Sequence, residues 1–217
     1  MDLGIDPETL RRGLIFYILL VASLSIHEWA HAFVADKLGD FTPSTEGRVT
    51  LNPIAHMDLL GSVIFPLMCI FVLPGGLLFG WGKPVRINPS NFAHRKRDEL
   101  LTTLAGPGSN LGLAMIGAVV GGLVFKWEPR SAEIFVQLIG LNVLLAVFNL
   151  IPLPPLDGGQ VLRHVVGMSE ETFYNISRFS FLIIIVAINI PAFRMILGFA
   201  MSVVASPMMF VYERLAV

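Results

Sequence analysis

His27-Glu28-Trp29-Ala30-His31 places two imidazoles four residues apart, with a carboxylate beside the first. Residues four apart on a helix lie one above the other on a single face, so both rings reach one divalent ion. Glu28 is then placed to hold a water against that ion and take its proton. H-E-x-x-H spacing on a helix therefore points to metal-assisted hydrolysis. The set is incomplete, because catalytic zinc keeps three protein ligands and one open position. A plainer reading makes these three residues polar caps of a helix end. Against it stands the apolar run that leads into them, since an acid at mid-membrane costs at least about 2.5 kcal/mol to insert and ionisable groups at that depth are functional by default.

The third donor must come from elsewhere in the chain. In Asn149-Leu150-Ile151-Pro152-Leu153-Pro154-Pro155-Leu156-Asp157-Gly158-Gly159, an apolar helix meets three prolines and loosens before a lone carboxylate. Asp157 is a hard oxygen ligand able to complete the set, and equally an acid capping a helix near Gln160 to Val166. The residues alone leave both readings open. Asn110 and Asn149 are candidate amides for an oxyanion or substrate contact, and Asn110 serves as well as a polar contact between helices beside Gly106 and Gly112. His56 and Asp58 either approach the metal from a loop or belong to a structural turn. Thr45 to Leu51 alternates like a strand and stops at Asn52-Pro53. Its residues Arg48, Val49, Thr50 and Leu51 form a candidate edge for pairing an extended substrate, or a strand that merely packs over the helices.

The elements that position these groups are set by composition. Of 217 residues, 54% are hydrophobic and 14% charged, with mean hydropathy +0.72, more apolar surface than one water-soluble core hides. Spanning a bilayer takes about 20 apolar residues. Runs of that kind are Gly13 to Ile26 (continuing through Val34), Leu59 to Gly82, Leu100 to Phe125 and Ile134 to Leu156, then Phe179 to Ile190 and Met195 to Tyr212 with Pro191 between them. The expected fold is an all-α polytopic membrane protein of about five to six transmembrane helices, with a re-entrant segment and a short β element near the site. It forms a single domain over residues 1–217, with a catalytic core over 13–166 and a C-terminal helical pair over 176–213. The first run leads straight into the motif and reads as a retained helix, not a cleaved signal.

His31 lies late in the first run and Asp157 just after the fourth, so those ends must share one side of the bilayer. That parity holds if Leu59 to Gly82 dips in and returns near Pro74-Gly75-Gly76, where a helix would lose backbone hydrogen bonds. The basic residues from Lys83 to Arg97 then lie at the site's end, which places it nearer the cytoplasm. A net charge of −1 gives no footprint for nucleic acid. The one cysteine, Cys69, excludes an internal disulfide and a Cys-rich cluster.

Taken together, the chain resembles the site-2 protease family of intramembrane zinc metalloproteases. The resemblance covers roughly residues 13 to 166. His27-Glu28-Trp29-Ala30-His31-Ala32 is similar to the family's metal-binding helix, Gly106-Pro107-Gly108-Ser109-Asn110 to its G-x-x-x-N element, and Leu156-Asp157-Gly158-Gly159 to its third-ligand motif. Gly47 to Pro53 and Gly80 to Val85 resemble a compact prokaryotic branch without PDZ or CBS domains. Gln160 departs from the basic residue that relatives often carry there. The resemblance implies one Zn2+ per chain held by His27, His31 and Asp157, with Glu28 as base. It implies a transmembrane protein as substrate and a multi-pass protein of a prokaryotic cell membrane. The competing class is a membrane metal transporter or metal-dependent sensor without turnover. That class needs a second line of polar ligands, and the other runs offer little beyond Asn142 and Asn189.

Overall fold

A computed structural model of the chain describes residues 6–72 and 80–217. Helix α1 runs from Pro7 to Lys37, opened by Pro7 in its first turn and by the Asp6 carboxylate accepting the Thr9 N–H. After α2 (Thr42–Thr45) and α3 (Phe65–Val72) come α4 (Arg95–Phe125), α5 (Ala132–Asn149), α6 (Asp157–Val166), α7 (Glu170–Asn189) and α8 (Pro191–Ala216). Pro191 starts α8 instead of breaking a helix, because its missing N–H is an orphan there anyway. Among the described residues, five helices (α1, α4, α5 with its preceding turn, α7 and α8) are long and apolar enough to cross a membrane.

Helix α4 is the centre, packed against α1, α5 and α8. Ala114 and Ala118 of α4 are buried with Ile139 and Val143 of α5 and Met208 and Tyr212 of α8. A Cβ on Gly121 would lie 2.6 Å from the Phe135 side chain, and one on Gly122 2.7 Å from the Tyr212 carbonyl. Small residues thus let the backbones approach, as helix packing in lipid requires. Leu20 and Leu24 join α1 to Leu141 of α5. By contrast, α7 and α8 present Phe179, Phe181, Leu182, Ile196 and Phe199 outward. Helices so apolar and so exposed are solvated by lipid.

The run expected to be re-entrant begins with a π-helical stretch, Leu59–Ile64, that continues as α3. Asp58 caps it, accepting the Leu60 and Gly61 N–H groups. The two stretches together rise about 20 Å, less than the roughly 30 Å of a hydrocarbon core. The expected turning point at Pro74-Gly75-Gly76 lies outside the described residues. Residues 81–83 lie beside residues 56–62. The Trp81 N–H donates to the Gly61 carbonyl (3.2 Å), the Lys83 N–H to the His56 carbonyl (2.8 Å) and the Ser62 hydroxyl to the Trp81 carbonyl (2.7 Å).

The expected β element is corrected. Among the described residues the only β pairing outside helices is an isolated antiparallel bridge between Met57 and Gly82, and Arg48, Val49, Thr50 and Leu51 form no strand. Thr45 closes α2, and Gly47 turns the chain with φ +68°. The buried Arg48 guanidinium donates to the Lys83 carbonyl, and the Thr50 carbonyl accepts from His56 Nε2 at 2.7 Å. These ties break the alternation that the sequence pattern suggests.

Candidate metal centre

His27 and His31 project from one face of α1, their rings edge-on with centroids 4.7 Å apart and Nε2 atoms 3.1 Å apart. Asp157 is the first residue of α6, with carboxylate oxygens 3.3 Å from His27 Nε2 and 3.5 Å from His31 Nε2. One ligand atom from each lies within 4.8 Å of the others. The glycines after Asp157 put it there. A Cβ on Gly158 would stand 2.2 Å from the Leu150 carbonyl, and one on Gly159 2.4 Å from the Pro154 nitrogen. Only glycine lets the first turn of α6 fold back onto the proline turn.

The donor set fits zinc. His31 Nδ1 lies 2.8 Å from the Thr102 carbonyl, which can only accept, so Nδ1 carries a proton and, in the neutral ring, Nε2 keeps a lone pair. His27 Nδ1 likewise faces the Asn110 amide oxygen at 2.7 Å. Two ring lone pairs and a carboxylate therefore point at one another, and Asp157 Oδ2 is buried without a hydrogen-bond partner. Such a convergence of acceptors is repulsive until a cation joins it. Space for one exists because residue 106 has no side chain: a Cβ there would sit 2.3 Å from His31 Nε2 and 2.6 Å from His27 Cε1. Two imidazole nitrogens and a carboxylate oxygen are a catalytic-zinc donor set.

Glu28 stands beside the rings, and its Oε2 accepts the Val85 N–H at 3.0 Å. Gly82 to Val85 thus passes directly along the site. A cavity of about 1010 Å³ opens over these groups, with Glu28, Asp157 and Asn149 in its lining and Leu144, Phe148 and Leu197 among its apolar walls. Asn149 Nδ2 donates to the Leu145 carbonyl at 2.9 Å.

Asn110 is placed differently from an oxyanion contact. It is fully buried between α1 and α5, with its amide nitrogen on Asn142 and its oxygen on His27. His56 and Asp58 also stand outside the ligand cluster. Burial, aided by the Arg48 charge, pushes the His56 imidazole below its usual range, and its Nε2–H is committed to Thr50. Sequence reasoning missed the Thr102 carbonyl and the Val85 N–H, which are backbone groups with no residue-type signal.

The bundle and its N,N,O cluster define a membrane-type helical protein with a candidate catalytic-zinc site. The sequence pattern of Peptidase family M50 matches residues 125–188, the stretch that carries α5, α6 and Asp157. The chain is 40% identical over 157 residues to "Putative zinc metalloprotease YwhC" of Bacillus subtilis, covering 69% of this chain and 68% of that protein. It is 32% identical over 184 residues to "Putative zinc metalloprotease Rip2" of Mycolicibacterium smegmatis, covering 81% and 68%. No solved structure matches it. The chain belongs to peptidase family M50, the site-2 proteases, and is a zinc metalloprotease. The transporter or sensor alternative gives way to this family membership.

Proposed function

We propose that the chain is a single-domain intramembrane protease that hydrolyses peptide bonds in or near transmembrane segments of other membrane proteins. One observation carries this reading: the His27, His31 and Asp157 ligand atoms meet beside Glu28 on the floor of a cavity walled by apolar helices. His27 stands ten residues before the end of α1, about 15 Å along the helix, which favours a site below the lipid surface. The apolar walls suit a hydrophobic segment. Its scissile peptide must leave helical form first, because helical carbonyls are bonded and shielded.

His27, His31 and Asp157 would hold the zinc, with Glu28 as catalytic base. Zinc bound there supplies Lewis-acid polarisation of the peptide carbonyl and of the attacking water. The Val85 N–H fixes the Glu28 carboxylate beside the ligand rings. Glu28 takes the proton from the attacking water and passes it to the leaving amine. Asn149 lines the same cavity, and its amide has a second N–H to offer the developing oxyanion.

The topology has residues 59–82 dipping into the bilayer and returning, a reading supported by the pairing of residues 56–62 with 81–83. Lys83, Arg86, Arg95, Lys96 and Arg97 then favour a cytoplasmic location for the site's end. A cysteine reporter at Ser90 should label only from the cytoplasm, and labelling only from outside overturns this orientation.

The central experiment incubates the purified protein with a model transmembrane peptide, with and without chelator, beside Glu28→Gln. Wild type should cleave, stop with chelator and resume with added zinc. Glu28→Gln should retain zinc while cleavage falls by about 10²–10⁴-fold. Full activity in Glu28→Gln ends the mechanism.

A further inference from the structure

Asn142 is fully buried on α5 and touches neither the cavity nor a ligand, yet its amide is bonded on both sides. Nδ2 donates to the Leu138 carbonyl at 2.9 Å and to the Ser23 hydroxyl at 3.0 Å, and Oδ1 accepts from Asn110 Nδ2 at 2.9 Å. Only one orientation of these groups is allowed, and it can be traced from a fixed end. A backbone carbonyl accepts and never donates, so the side of Asn142 facing Leu138 must be its NH2. The opposite side is then its oxygen, which demands the NH2 of Asn110. That turns the Asn110 oxygen toward His27 Nδ1, 2.7 Å away, and an oxygen there demands a proton on Nδ1. His27 Nε2 is left with its lone pair on the Asp157 and His31 side.

We propose that Asn142 is a positioning residue for the metal centre, setting through Asn110 the tautomer and ring orientation in which His27 binds zinc. This rests on the reading of His27 as a ligand. Its opposite number is simpler: His31 takes its tautomer directly from the Thr102 carbonyl. One ring is set by a backbone acceptor, the other by two amides and a backbone acceptor one helix further away. Groups that orient a ligand histidine contribute about 10–100-fold to metal affinity, and Asn142 acts one step further out, at the lower end of that range.

The test compares Asn142→Leu and Asn142→Asp in the full-length protein, with zinc affinity read by competition against a chromogenic chelator. Melting of the zinc-free protein is followed alongside. Leucine keeps the volume and loses every polar bond, so affinity should fall about tenfold. A buried aspartic acid held neutral keeps one donor for the Leu138 carbonyl and an acceptor for the Asn110 amide. It loses only the donation to Ser23, whose hydroxyl can turn and donate instead, and should bind zinc within about threefold of wild type. A packing role predicts the reverse ranking. Wild-type affinity in Asn142→Leu, or equal losses in both variants with equally lowered zinc-free melting, overturns the proposal. The 15N signals of His27 in the zinc-loaded wild type need no variant: Nδ1 should be protonated and Nε2 not, and the opposite assignment overturns it too. If His27→Ala also binds zinc like wild type, the ligand reading itself has failed. If His27→Ala loses zinc and Asn142→Leu does not, only the positioning role has.

Discussion

Two histidine–carboxylate clusters flank α6, one at its first residue and one in its last turn, and they solve the burial of a carboxylate in opposite ways. In the first, Asp157 meets His27 and His31, whose far nitrogens are committed elsewhere, so while both rings are neutral nothing positive faces the acid. In the second, Glu99 meets His164 at 3.3 Å and forms a buried ion pair with Arg163, while Arg163 and Arg95 both reach Glu170. Glu99 and Arg163 even line the same cavity as the metal centre. The residue types overlap, and the guanidinium makes the difference. The second cluster carries its own cation, and the first must import one.

The largest test of that contrast removes one acid from each cluster. Asp157→Ala or His27→Ala should abolish zinc binding and cleavage together, because two donors do not make a catalytic zinc site. Removing the Glu99 carboxylate should leave zinc content at one per chain. Metal analysis of the purified variants decides it, and zinc loss on removing Glu99 would merge the two clusters into one.

Gly106→Ala comes next. The new Cβ would fall within 2.6 Å of both ligand rings, so the rings must shift or α4 must retreat. Zinc affinity should drop by about 10–100-fold, comparable to losing an orienting group, while the zinc-free protein melts near wild type. Gly108→Ala, where a Cβ meets nothing within 4 Å, is the matched control.

The ligand spacing on α1 was legible because four residues on one helix is a local rule, and the apolar runs because lipid demands them. Asp157 was half legible. Its prolines and glycines marked a turn, but nothing in them said which neighbour the carboxylate meets, and the family resemblance closed that gap. Asn110 could not be placed, since the direction of its amide is decided by Asn142 on another helix. The pairing of Glu99 with Arg163, 64 positions apart, leaves no local pattern either. The 48–51 strand failed for a physical reason: a strand needs a neighbour for its backbone, and among the described residues this segment has none, its Arg48 side chain and Thr50 carbonyl being tied instead to Lys83 and His56.

Within the second cluster, Glu99→Ala leaves the Arg163 guanidinium without its main partner. Breaking a buried pair from one side costs about 3–5 kcal/mol, which chemical denaturation should register. Glu99→Leu combined with Arg163→Leu should recover most of that loss, because apolar pairs often replace buried ion pairs without penalty. A double variant no better than Glu99→Ala would mean that the arginine does more than neutralise the acid.

Asp40 supplies a third solution and the smallest effect. It is buried with neither metal nor guanidinium, held by the Thr42 hydroxyl and N–H, the Asn88 N–H and the Asn91 amide at 2.6–3.1 Å. Burial works to raise its pKa, but these bonds outweigh it and hold the carboxyl below its usual range. A depressed folded-state pKa means that the contribution is complete above the unfolded value of about 3.9 and fades as pH falls through the lower folded value. Asp40→Asn turns an N–H toward donors and should destabilise by about 1–3 kcal/mol at pH 7. Zinc-free wild type and variant, unfolded by denaturant at pH 7 and again near pH 3, should draw closer in acid, because only the wild type loses a carboxylate there. A gap that stays constant would show that Asp40 is not ionised in the folded protein.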